Sequence, residues 1–245
     1  MSVHDPLPAC GGCPIRRNAV CAQCDAAELA VLDRAKTYRT IPAGGTIAEA
    51  GAPLTHFSSV VTGCATMSRT LEDGRRQTVG LLLPSDYVGR PGRAHAPYEI
   101  RAATDVTLCR FERRGFEALV ARTPHLSNRL LAMTLDELDA ARDWAVVLGR
   151  MTARERVAAF LLSLARRGAK LGGTPPGDGL TLALPLTREE IADYLGLTIE
   201  TTSRQFTALR RAGTIETPSA REVRIPRIDR LLEEAGEDDD GGPID

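Results

Sequence analysis

The stretch "LPLTREEIADYLGLTIETTSRQFTALRRAGTIETPSAREVRIP", residues 184–226, constrains the fold more tightly than any other part of this 245-residue chain. Thr187 followed three residues later by Glu190 is a capping box, and Ile191, Ala192 and Leu195 supply the buried face of a short helix. Gly196 breaks that helix. Thr198 caps a second helix over Ile199–Arg211, in which Phe206 and Leu209 turn inward while Glu200, Thr202, Ser203 and Arg204 are expected on the exposed first turns. Gly213 ends it, and "TIETPSAREVRIP" reads as two short strands around a turn. Two helices joined by a glycine turn and followed by a hairpin have the geometry of a winged helix-turn-helix. Its chemistry suits double-stranded DNA. Arg204 can donate a bidentate pair to guanine, Glu200 can accept from cytosine N4 and Ser203 can contact either partner. Arg210, Arg211, Arg221 and Arg224 are expected on phosphates. The competing reading of the same pattern is a helical hairpin with a solvated polar face.

Upstream, "DAAELAVLDRAK" suits a short helix through Leu29, Val31 and Leu32. Residues 39–115 then carry short Val-, Thr- and Leu-rich runs such as "SSVVTGCATMSRT" and "QTVGLLL", punctuated by "PAGG", "AGAP", "EDGR" and "RPGR". This is the texture of a small β-barrel or roll. In "LEDGRRQ", Asp73 and Gly74 are expected to take the positive φ angles of a primed hairpin turn. After Pro124 no strong breaker interrupts the chain up to residue 150, and Leu131, Leu138, Ala141, Ala145 and Leu148 recur at spacings of 3, 4 and 7. That seam predicts a long helix that packs on a twin or on its own barrel. "TARERVAAFLLSLARRG" opens with a capping box, Thr152 and Glu155, and is expected to stop near Gly168, with "GAKLGGTPPGDG" as a linker or hairpin loop.

Hydrophobic content of 43% and charged content of 26% fit a globular chain, and no apolar run is long enough to span a membrane. "MSVHDPLPAC" lacks a basic region followed by an apolar one, so a cytoplasmic location with reduced thiols is expected. The net charge of −1 leaves nucleic acid open, because the acidic end "EEAGEDDDGGPID", expected to be disordered, offsets basic surface elsewhere. There is no P-loop, no Rossmann glycine pattern, no HExxH and no GxSxG, so no enzyme is expected.

The chain has six cysteines, and "ACGGCPIRRNAVCAQC", residues 9–24, holds four of them. Cys10, Cys13, Cys21 and Cys24 form two C-x-x-C pairs separated by seven residues. Such spacing admits a tetrathiolate zinc, an iron–sulfur cluster or a thiol–disulfide switch. Cys64 and Cys109 lie in strand-like runs, where burial alone accounts for a lone cysteine.

Taken together, "CGGCPIRRNAVCAQC", "VVTG", "DGRRQTVGLLLPSDYVGRPGR", "MTLDELDAARDW", "LGRMTARERVAAFLL" and "LGLTIETTSRQ" resemble the CRP/FNR family of bacterial transcription regulators, in its oxygen-sensing FNR branch of FnrL type. The resemblance covers nearly the whole chain and implies an α+β fold with five parts. These are a cysteine-rich segment (1–28), a cyclic-nucleotide-binding-like β-roll (29–122), a dimerisation helix (123–150), a winged helix-turn-helix (151–232) and an acidic tail (233–245). It further implies a 4Fe-4S cluster on Cys10, Cys13, Cys21 and Cys109, with Cys24 spare. The base-reading pattern falls on Glu200, Ser203 and Arg204, which implies TTGAT-type half-sites in an inverted repeat bound by an anaerobic homodimer. RNA polymerase is the implied partner, touched by the hairpin near Asp73 and Gly74 and by the C-terminal domain, to activate or repress genes of anaerobic metabolism. "YVGRPGRAHAPYEIRAAT" lacks the Gly-Glu-Leu element of cyclic-nucleotide binders, so cAMP is not expected. The seven-residue spacer between the second and third cysteines exceeds that of the best-known enterobacterial members, and Pro14 and Val20 are expected to limit oxygen access. The rivals are a zinc-stapled regulator of the same fold, or one that takes a small effector or a haem on His4, His56, His95 or His125.

Overall fold

The computed structural model describes residues 9–236, which fall into two compact units. The first holds the chain up to Arg69 with Val79–Asp136; the second holds Thr70–Thr78 and the chain from Glu137 onward.

In the first unit, Asp25 and Glu28 form the capping box that starts α1 (Ala26–Ala35). Eight strands follow: β1 (Thr37–Ile41), β2 (Thr46–Ala48), β3 (His56–Thr62), β4 (Ala65–Thr70), β5 (Arg76–Leu82), β6 (Tyr87–Val88), β7 (Glu99–Ala102) and β8 (Val106–Glu112). They form two four-stranded sheets, ordered β1-β8-β3-β6 and β2-β7-β4-β5, which make the expected roll. Side chains alternate across a strand, so Val60, Val106 and Leu108 fill the roll interior with Ile41, Ala65, Leu82, Val88, Ile100 and Ala102. The other face of β3 and β8 presents Phe57, Val61, Cys109 and Phe111, and it is buried too, under the cysteine-rich segment and Phe116. Both faces of these central strands are therefore covered.

The β4–β5 turn differs from the expected form. Gly74 alone takes a positive φ, 86°, while Asp73 does not. Gly74 N–H donates to Leu71 O at 3.0 Å and Leu71 N–H to Arg75 O at 2.8 Å, a type I turn closed by a left-handed glycine. The Asp73 carboxylate accepts from Arg75 N–H at 3.0 Å, which favours the right-handed conformation at that residue. After β8, α2 (Arg113–Arg122) ends at Thr123, held extended by the following proline, and Pro124 occupies the first turn of α3 (Pro124–Arg150).

In the second unit, α4 (Ala153–Gly172) begins at the predicted Thr152 and Glu155 box but runs past Gly168 to a left-handed cap at Gly173, φ 74°. One interior glycine costs a helix only about 1 kcal/mol relative to alanine, too little to stop a helix with this long a buried stripe. β9 (Leu180–Ala183) follows, then α5 (Arg188–Leu195), α6 (Ile199–Arg211), β10 (Glu216–Ser219), β11 (Glu222–Ile225) and α7 (Ile228–Glu234). The wing is three-stranded, ordered β10-β11-β9, because Leu180–Ala183, read in the sequence as following a linker, pairs with β11. The start of the expected acidic tail is also ordered. Glu233 and Glu234 lie in α7, and Glu234 holds Arg154 on α4 through both carboxylate oxygens. Residues 237–245 of that tail, like His4, lie outside the described residues.

Candidate metal centre and nucleic-acid interface

Residues 9–24 wind through successive tight turns, with Arg16 N–H on Cys13 O at 3.0 Å, Ala19 N–H on Ile15 O at 2.9 Å and Ala22 N–H on Ala19 O at 2.9 Å. The Arg16 guanidinium closes the coil by donating to Ala22 O at 2.6 Å and Cys24 O at 2.8 Å. The coil faces β8, where Cys109 pairs in register with Tyr38 on one side and Ser59 on the other. Between them lies a narrow pocket walled by Cys10, Cys13, Cys21 and Cys109 with Ile15, Ala19, Val20, Leu32, Tyr38, Ser59 and Phe111. The four thiols that the resemblance assigns to a cluster thus share one largely apolar wall. Cys24 is buried but is not part of that wall, and Cys64 is buried in the roll. Of the two expected shields, Val20 is buried while Pro14 is exposed; Ile15, one residue on, takes the inward position.

All six cysteines are free thiols. Burial pushes Cys10 up to about 11 and Cys109 to about 12, so both are protonated at neutral pH unless a cation binds. One cation already faces the wall. The Lys36 ammonium, its side chain only 9% exposed, donates to Cys10 Sγ at 3.6 Å and to the Asp33 carboxylate. Asp33 in turn accepts from Cys10 N–H at 2.8 Å. Neither residue was singled out in the sequence, because a lysine and an aspartate three residues apart usually form a solvated helix pair.

Among the described residues, the only group of three or more His, Cys, Asp or Glu ligand atoms lying mutually within 4.8 Å is Asp25, Glu28 and His125. No three of the cysteine sulfurs approach that closely, whereas four thiolates on one zinc at 2.3 Å sit about 3.8 Å apart. As placed, the thiols are therefore spread more widely than the tetrahedron of a single tetrathiolate zinc. None of His56, His95 and His125 lines the thiol pocket.

Along α3 the seam residues lie where the spacing put them. Leu131, Leu138, Ala141 and Ala145 are exposed and Leu148 half-buried, and Leu135 and Val146 extend the apolar stripe. Leu126, Trp144 and Val147 are buried on the other side.

In the helix-turn-helix, Gly196 takes the left-handed φ of 61° that ends α5, and Thr198 Oγ1 accepts from Thr201 N–H to start α6. Glu200, Ser203, Arg204, Arg210 and Arg211 are exposed. The Glu200 carboxyl is held below its ordinary range by its own backbone N–H and the Thr198 hydroxyl, so it stays an acceptor. Thr202 is a correction. It is fully buried, four residues before Phe206 and seven before Leu209, which puts it on their inward face. Arg221 is exposed at the wing turn, while Arg224 pairs with Glu216 at 3.0 Å across the wing. Arg188, unremarked in the sequence, stacks its guanidinium 3.6 Å from the Phe206 ring and so ties α5 to α6.

Residues 38–123 match the cyclic nucleotide-binding domain family, and residues 155–234 match the Crp-like helix-turn-helix domain family. The chain is 54% identical over 245 residues to the transcriptional activator protein FnrL of Cereibacter sphaeroides, covering 99% of each. It is 40% identical over 206 residues to the nitrogen fixation regulation protein FixK of Bradyrhizobium diazoefficiens, covering 84% of this chain and 85% of that one. In structure it is similar to FixK2 from Bradyrhizobium japonicum, with a TM-score of 0.72 and 32% identity over 81% of this chain and 96% of that one.

Proposed function

The chain belongs to the CRP/FNR family of transcription regulators, DNA-binding proteins and not enzymes, and from that premise we propose that it is an oxygen-responsive member acting in the cytoplasm. In this reading Cys10, Cys13, Cys21 and Cys109 hold a 4Fe-4S cluster. The observation that carries it is the single apolar pocket on whose wall those four thiols meet and from which Cys24 is absent. The group, when bound, supplies oxygen-labile iron–sulfur chemistry.

The chain's own residues do the rest. Lys36 offsets negative charge at Cys10, and Ile15, Val20, Leu32 and Phe111 keep water from the sulfurs. The apolar stripe of α3 pairs with its copy in a homodimer, burying Leu131, Leu135 and Leu138 that a lone chain leaves in water. A two-fold pair of α6 helices then presents Glu200, Ser203 and Arg204 to TTGAT-type half-sites about one DNA turn apart, with Arg210, Arg211 and Arg221 on phosphates. The exposed Asp73 and Arg75 at the β4–β5 turn offer RNA polymerase a charged handle for regulating genes of anaerobic metabolism.

Protein purified without oxygen is expected to contain iron and sulfide, to absorb visible light and to footprint a TTGAT inverted repeat, with all three lost in air. Cys109→Ala should remove the iron and the footprint while the chain still folds. Oxygen-free wild-type protein that contains zinc or no metal overturns the reading.

A further inference from the structure

The spacer between Cys13 and Cys21 has two sides. Inward it places Ile15, Ala19 and Val20 on the thiol pocket. Outward it turns two backbone carbonyls towards α3, where the half-buried Arg129 receives both: Nη2 donates to Asn18 O at 2.7 Å and Nε to Ala19 O at 3.5 Å. Those carbonyls point where they do because Asn18 N–H and Ala19 N–H are tied back to Ile15 O at 3.0 and 2.9 Å, inside the coil that carries the cysteines. Arg129 stands two residues before Leu131, the first seam residue, on a helix whose Leu126, Leu130 and Met133 pack into the same core as the thiols. A second side-chain link from α3 to the N-terminal region, His125 to Glu28 at 3.1 Å, is exposed and reaches α1 rather than the spacer.

We propose that Arg129 is the positioning residue through which the state of the cysteine segment sets the orientation of α3 and hence the strength of the dimer; this rests on the reading of Cys10, Cys13, Cys21 and Cys109 as one metal-holding set. A guanidinium donates in a fixed planar fork, so it reaches both carbonyls only while the spacer keeps its coiled form. Ligation by Cys13 and Cys21 at the two ends of the spacer fixes that form. Once the segment loosens, Arg129 loses both acceptors, and the first turns of α3 lose their polar tether beside Leu131. The coupling runs directly from the spacer to the helix, alongside any route through β8.

The test uses full-length protein prepared without oxygen, as wild type, Arg129→Met and Arg129→Lys. Iron, sulfide and visible absorbance are measured, and the dimer constant is obtained by sedimentation equilibrium before and after air. Wild type is expected to dimerise about a hundredfold more tightly before air than after. Arg129→Met is expected to keep the iron, the sulfide and the spectrum but to lose about tenfold or more of that ratio. Arg129→Lys, which keeps the charge and part of the donation, should fall between. Arg129→Met with full iron and the wild-type ratio overturns the coupling role and leaves the metal reading standing. Loss of iron from both variants also overturns it, since Arg129 would then build the centre rather than report on it. Wild-type protein without an iron–sulfur centre overturns the metal reading and this inference with it.

Discussion

Thr202 is fully buried and its hydroxyl has no hydrogen-bond partner among the described residues. A buried hydroxyl without a partner costs about 1–3 kcal/mol. Thr202→Val keeps the shape and removes the oxygen, so it is expected to stabilise the protein by ~1 kcal/mol, raising the melting temperature by a few degrees. Operator footprints should be unchanged, and a weakened footprint would put Thr202 back on the DNA. The residue shows why polarity misleads at this scale. Its type matches its neighbours Glu200 and Ser203, but the 3.6-residue period sets it in line with Phe206 and Leu209. Thr187, Glu190, Gly196 and Thr198 were legible because each acts on backbone groups within four residues. Arg129 was not. Its acceptors are carbonyls 110 and 111 residues away, and a carbonyl leaves no mark in a sequence.

Elements followed the same rule of range. The capped helices and the α3 seam could be read from local pattern, whereas β9 is only four residues long and is a strand because β11 lies beside it. α7 was masked by its acidic composition, and what orders it is the fully buried Leu231 and Ala235 together with the ion pair to Arg154 on α4. Arg154 holds the Glu234 carboxyl below its ordinary value of 4.5. The folded form therefore binds that proton less readily than the unfolded chain, and the stability from the pair is present above pH 4.5 and fades as pH falls through the lowered value. Glu234→Gln is expected to destabilise the protein by about 1 kcal/mol at neutral pH. Urea unfolding across pH should show the difference from wild type vanishing in acid; a constant difference would mean that the ion pair is not its source. On α3, Leu138→Glu places like charges against each other across a two-fold seam. It should weaken dimerisation by more than about a hundredfold by sedimentation while leaving the monomer folded, because Leu138 is already 45% exposed.

For the whole molecule, the proposed coupling between the thiol pocket and operator binding has to be reciprocal. If metal-loaded protein binds its operator more tightly by some factor, bound operator must raise the metal's hold by the same factor. Anaerobic titration with an iron chelator, with and without operator DNA, is expected to reveal that factor; equal titrations would mean that the two sites are independent. Spacing alone left Cys24 and Cys109 both open, since Cys24 is nearer in sequence; Cys109 enters only through the register that puts it between Tyr38 and Ser59, on the pocket wall shared with Cys10, Cys13 and Cys21. Cys109 rides the central strand of its sheet, gripped from both sides, while Cys10, Cys13 and Cys21 ride a coil of turns. In the proposed reading the receptacle therefore has two unlike halves: one thiol is held by a sheet paired on both sides, and three are held by turns whose backbone–backbone hydrogen bonds, among the described residues, all lie within the coil.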